Sequence, residues 1–104
     1  MSISVNAIAP HDGELSHEGA TANPLTVLVQ DDSAAQRNMI CALLRRWGHT
    51  AIPSAHPVEA LDLARNPDID LILCDWMMPD MTGPEFCRRF RAEMSDSNAY
   101  VLLL

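Results

Sequence analysis

The sequence predicts an α/β fold built on a parallel sheet, and three observations lead there. From Leu25 onward the apolar pattern switches repeatedly between strand-like runs and a helical spacing of about 3.6 residues. The order is strand, helix, strand, helix, strand, helix, strand, the signature of right-handed βαβ units. Strands one and three both run directly into acids, Asp31-Asp32 and Asp75.

LTVLVQ (25–30) is β-branched and apolar, a buried strand. Ser33 and Gln36 have capping-box spacing and open the first helix, whose apolar face reads Met39, Ile40, Leu43, Leu44 and Trp47 before Gly48 ends it. HTAIPS (49–54) is a short second strand. Pro57 suits a first helical turn, and Val58, Leu61 and Ala64 give helix two its inward face. Asn66-Pro67 breaks that helix, and IDLILC (69–74) is the third strand. Thr82 and Glu85 form a second capping box around Gly83-Pro84, and helix three buries Phe86, Phe90 and Met94 with Cys87 beside them. AYVLLL (99–104) is the fourth strand.

Residues 1–24 have little periodicity and three acids with no base, so a disordered tail is expected there, His11 and His17 included. No apolar run approaches the roughly 20 residues of a membrane span, and no basic leader opens the chain. The expectation is a cytoplasmic protein with no membrane partner. Fourteen acids face seven bases, all arginine, and there is no lysine. A net charge of −7 argues against nucleic acid as a partner of this domain. Cys41, Cys74 and Cys87 lack CxxC spacing and lie in apolar patterns, which predicts buried thiols.

The stretch LILCDWMMPDMTG (71–83) poses the chemical question. A buried strand delivers a carboxylate at its end, and such a group is costly unless paired. If strands one and three are neighbours, Asp31, Asp32 and Asp75 converge, and their mutual repulsion calls for a cation. Mg²⁺ suits such a site, being satisfied by one or two carboxylates plus water and phosphate oxygens, and Mn²⁺ is the natural substitute. With charge neutralised, one carboxylate can act as a nucleophile toward phosphorus. Singly, each aspartate reads equally well as a helix cap or turn former. Their convergence on one rim is what favours the site.

VLVQDDS followed by LILCDWMMPDMTGPEFCRRFR resembles the receiver domain of two-component response regulators, over residues 25–104. The resemblance implies a flavodoxin-like doubly wound parallel sheet, incomplete here, with strand order 2-1-3-4 out of a full 2-1-3-4-5. It implies phosphoryl transfer from a histidine kinase or histidine phosphotransfer protein onto Asp75. It makes Asp32 a direct Mg²⁺ ligand, Asp31 a ligand mainly through water, and Met77 a ligand through its backbone carbonyl. Trp76, Met78, Pro79 and Gly83 then form the site loop. Haloacid dehalogenase-like phosphatases, which also use an aspartate nucleophile, need an acid two residues on, where this chain has Met77. The DWMMP…EFCRRFR wording is also similar to receivers that precede diguanylate cyclase domains.

The chain departs from the family pattern after Leu104, where a Ser or Thr, a fifth strand and its Lys are expected. Arg88, Arg89 and Arg91 read as a solvated helix face and not as replacements. The domain is therefore read as a receiver lacking its C-terminal strand and helices, with no effector enzyme activity of its own. A free strand-four edge and an uncovered face beside helix one predict a homo-oligomer. The alternative to a phosphoacceptor is a non-phosphorylated interaction module on the same scaffold.

Overall fold

The computed structural model describes residues 23–104. Of the tail expected at 1–24, residues 1–22 lie outside that range. The elements run β1 (Thr26–Gln30), α1 (Ala34–Arg46), β2 (Thr50–Ser54), α2 (Pro57–Leu63), β3 (Leu71–Cys74), α3 (Gly83–Glu93) and β4 (Tyr100–Leu103). All strands are parallel, in the order β2-β1-β3-β4. This is the flavodoxin-like arrangement. Among the described residues no helix is long and apolar enough to cross a membrane.

Parallel pairing explains why β1 is apolar almost throughout: helices cover both faces of the sheet around it. On one face Val27, Val29, Ala51 and Leu73 pack with Cys41 and Leu44 of α1. On the other, Leu28 and Ile72 meet Ala60 and Leu61 of α2 and Phe86 and Phe90 of α3. The two phenylalanines are fully buried and are the bulkiest side chains in that core. Both capping boxes form their forward bond: Ser33 Oγ accepts from the Gln36 amide at 3.3 Å, and Thr82 Oγ1 from the Glu85 amide at 3.2 Å.

Three packing expectations need correction. Met39 is exposed because α1 turns Cys41 and Leu44, with Ile40 partly buried, toward the sheet. Val58 is exposed because the buried set of α2 is Pro57, Ala60 and Leu61, a stripe that leaves residue 58 on its outer side. Cys41 and Cys74 are buried as expected, whereas Cys87 is only half-buried, on the flank of α3. Among the described residues β4 pairs with β3 alone, and its Tyr100 and Leu102 are exposed.

Two residues beyond α1, Gly48 has a φ of 93° and turns the chain into β2 without the strain a side chain would meet there. The next residue, His49, is buried, and its Nδ1 accepts the Leu25 amide at 2.9 Å. Burial lowers its pKa from the ordinary 6.5. The native chain therefore binds fewer protons here than the unfolded chain below about pH 6.5, and stability from this group is complete above that pH and lost as pH falls through the window beneath it. Urea unfolding at pH 7.5 and 5.5 is expected to show a larger acid loss in the native sequence than in His49→Asn, which keeps an acceptor for Leu25. Equal losses would show that His49 does not titrate with folding.

Candidate functional site

The register of the sheet builds the site. Gln30 and Cys74 are paired across β1 and β3. The chain leaves both strands at the same height, so Asp31 and Asp75 emerge side by side, with Asp32 following. The Asp75 amide donates to the Gln30 carbonyl at 3.0 Å, extending the ladder by one residue. One carboxylate oxygen from each of Asp31, Asp32 and Asp75 lies within 4.8 Å of the others.

These carboxylates differ in setting. Asp31 is 1% exposed. Its Oδ1 accepts the Ser33 amide at 2.9 Å, while its Oδ2 is buried with no hydrogen-bond partner. Its backbone is held on both sides, the amide donating to the Ser54 carbonyl at 3.1 Å and the carbonyl accepting Arg37 Nη1 at 2.7 Å. Asp32 is exposed and Asp75 intermediate. Burial pushes the Asp75 pKa up first, and the Asp31 charge adds to it. A hydrogen bond with Asp32 and then its charge act in the same direction, against a smaller lowering by the Trp76 amide. A carboxylate whose neighbours resist its ionisation is primed for a cation.

The donor set fits a hard divalent ion. It is all oxygen, and Asp31 has a buried carboxylate oxygen that nothing among the described residues satisfies. With one oxygen from each acid within 4.8 Å of the others, the three would share such an ion and its bound waters.

The loop after Asp75 is pinned from below and open above. Met78 is buried in the core of the α2 and α3 face, whereas Trp76 and Met77 are exposed at 51% and 67% beside the acids. Pro79 is exposed at the outer bend. The Trp76 carbonyl accepts the Gly83 amide at 2.7 Å, closing the loop onto the start of α3. The Cys74 thiol beneath Asp75 is pushed up to about 12 by burial and then by the Asp75, Cys87 and Asp31 charges, so it stays a neutral thiol. Two of the three arginines of α3 are engaged elsewhere: Arg89 is 3.7 Å from Glu93, and Arg91 donates to the Ala99 carbonyl at 2.9 Å.

Residues the sequence reading passed over also shape the site. Arg37 holds the Asp31 carbonyl, and Ser54 lies on the far side of β1 from Asp75. The one legible signal was Gln30, a polar residue ending an otherwise apolar strand.

Comparison with known proteins agrees with this geometry. The response regulator receiver domain family matches residues 27–104. A chemotaxis protein CheY homolog of Campylobacter jejuni is 37% identical over 82 residues, covering 77% of this chain and 63% of that protein. The chain thus spans somewhat less than two thirds of that relative's length. The response regulator MprA of a Mycobacterium species is 37% identical over 79 residues, 76% of this chain and 34% of its own. Among solved structures, CheY4 of Vibrio cholerae superposes with a TM-score of 0.71 at 32% identity, covering 78% of this chain and 68% of CheY4. With the acids on the rim where β1 and β3 end, and a family match across the whole sheet, the chain belongs to the response regulator receiver domains of two-component signalling.

Proposed function

We propose that Asp75 is a phosphoacceptor, taking a phosphoryl group from a phosphohistidine on a histidine kinase or a histidine phosphotransfer protein. The observation that carries the reading is the convergence of Asp31, Asp32 and Asp75, with a buried Asp31 oxygen left unsatisfied and Asp75 half-exposed. In the transfer, an Asp75 carboxylate oxygen forms the new bond to phosphorus as the phosphorus–nitrogen bond to the donor imidazole breaks. The imidazole nitrogen leaves with the bonding pair, and the product is an aspartyl phosphate.

Asp32 and Asp75 would hold Mg²⁺ directly, Asp31 mainly through water, and Met77 would add its main-chain carbonyl. When bound, the ion supplies positive charge that offsets the charge of the transferring group. The protein's own part is positioning. Register and backbone hydrogen bonds fix Asp31 and Asp75, and the buried Met78 anchors the loop that carries Trp76 and Met77 past the entrance. Any catalysis beyond self-phosphorylation and slow dephosphorylation is assigned to other domains or partners.

The test uses a small-molecule phosphodonor with and without Mg²⁺, read by intact mass. One phosphoryl group is expected to appear, only with the ion, and to be lost in Asp75→Asn. Labelling of this chain is expected to be slow, because its 104 residues contain no lysine to pair with the added charge. A chain that binds Mg²⁺ yet takes no label from any donor would overturn the phosphoacceptor reading. If light scattering also showed it to be dimeric, the interaction-module reading would replace it.

A further inference from the structure

We propose that Gln30 is a positioning residue for the acidic site, its buried side-chain amide fastening the β2–α2 turn and the Met78 loop to the end of β1. The inference rests on the cation reading of the site and adds a residue that touches neither ion nor phosphate.

Gln30 is 1% exposed and lies between Ser54 of β2 and Cys74 of β3 in the sheet register. Leu28 and Ile72 beside it are fully buried and apolar, so a leucine would suit the position by polarity and size. A primary amide there is costly unless its hydrogen bonds are made. With its nitrogen turned toward Met78, the amide meets only a thioether sulfur at 3.2 Å, a weak acceptor. Turned over, the nitrogen faces three better acceptors: Ser54 Oγ at 2.8 Å, the His56 carbonyl at 3.1 Å and the Ser54 carbonyl at 3.3 Å. The second orientation is the stronger, and it leaves the other end of the amide against Met78.

Three rim segments therefore meet at this residue. Its side chain holds the turn after β2 and abuts Met78, the neighbour of Met77. Its main-chain carbonyl holds the Asp75 amide at 3.0 Å. Its peptide bond leads into Asp31, whose own amide shares the Ser54 carbonyl. Shifting the Gln30 side chain shifts the distances among Asp31, Asp75 and the loop without touching any carboxylate.

A positioning role and a structural one separate cleanly here. In Gln30→Leu the acceptors keep other donors: the Ser54 carbonyl retains the Asp31 amide, and the His56 carbonyl retains the Ala60 amide and Ser54 Oγ. Stability of the metal-free chain should change little, while cation affinity should fall. Outer-shell partners of metal ligands typically change affinity by about 10–100-fold.

The experiment measures Mn²⁺ affinity by titration calorimetry, and metal-free melting, for the native chain, Gln30→Leu and Gln30→Met. The expected result is an affinity loss on the order of tenfold in both variants, with melting temperatures close to that of the native chain. Native-like affinity in a folded variant overturns the inference. Affinity and melting temperature falling together in both variants also overturn it, since that marks a structural residue. No Mn²⁺ binding by the native chain itself overturns the cation reading, and the inference with it.

Discussion

Asp75→Asn is expected to raise the melting temperature of the metal-free chain at pH 7 and to remove most of its response to Mg²⁺. Burial and the Asp31 and Asp32 charges all oppose ionisation of Asp75, so the native carboxylate is held at a cost when no cation is present. A group with a raised folded pKa stabilises at low pH, and that contribution is lost as pH rises through the raised value. The asparagine carries no such charge. In the native chain, Mg²⁺ at ten times its dissociation constant contributes about 1.4 kcal/mol, because it binds the folded state alone. For a domain of this size that is about 5–10 °C in Tm. The variant is expected to shift by less than about a third of that. Differential scanning fluorimetry with and without Mg²⁺ measures both effects. A lower metal-free Tm in the variant, together with an undiminished Mg²⁺ shift, would show that Asp75 lies outside the cation site.

Gly83→Ala is expected to destabilise the chain and to loosen the site at the same time. A Cβ added at Gly83 would sit 2.8 Å from the Asp75 carbonyl oxygen, 3.0 Å from Leu103 Cδ2 and 3.1 Å from Trp76 Cα. Only the leucine can rotate away; the other two are main chain. Alanine at a helical position would otherwise gain about 1 kcal/mol over glycine. Forcing a methyl group into packed main chain costs about 1–3 kcal/mol, and here the cost falls on the Asp75 peptide itself. The net expectation is a loss of about 1–2 kcal/mol in urea unfolding, with weaker Mn²⁺ binding. Ala92→Gly, on the exposed side of the same helix, serves as the control for helix propensity and should leave Mn²⁺ affinity untouched. A Gly83→Ala chain as stable as the native one, with native affinity, would mean that α3 can back away from the strand ends.

The sheet and the acid triplet were legible because each rests on a local pattern. Apolar runs ending in Asp31-Asp32 and Asp75 place those acids wherever the strands end, and parallel βαβ topology puts the strand ends together. Met39 and Val58 were misplaced because a helical stripe leaves its orientation open by about a residue, and only packing against the sheet chooses. In α1 the sheet-facing stripe runs through Cys41 and Leu44 in place of Met39, and in α2 through Ala60 and Leu61 in place of Val58. The roles of Gln30, Ser54 and Arg37 could not be read in advance. They depend on hydrogen bonds between segments that only the register brings together.

The strand order also bears on how the chain acquires its shape during synthesis. β1 is central and is made before both of its neighbours, with α1 completed before β2, and α2 before β3. Parallel pairing allows no hairpin, so each partner arrives only after an intervening helix. At about 5–20 residues per second, several seconds separate the emergence of Gln30 from that of Cys74. TVLVQ is an unpaired apolar β segment until β2 emerges, and it keeps one open edge until β3 follows, the kind of segment most prone to stick to other chains. The two acids directly behind it give this segment a charged flank before any ion can bind. Asp31 and Asp32 would then act first as gatekeepers against aggregation, and as ligands only once β3 has docked.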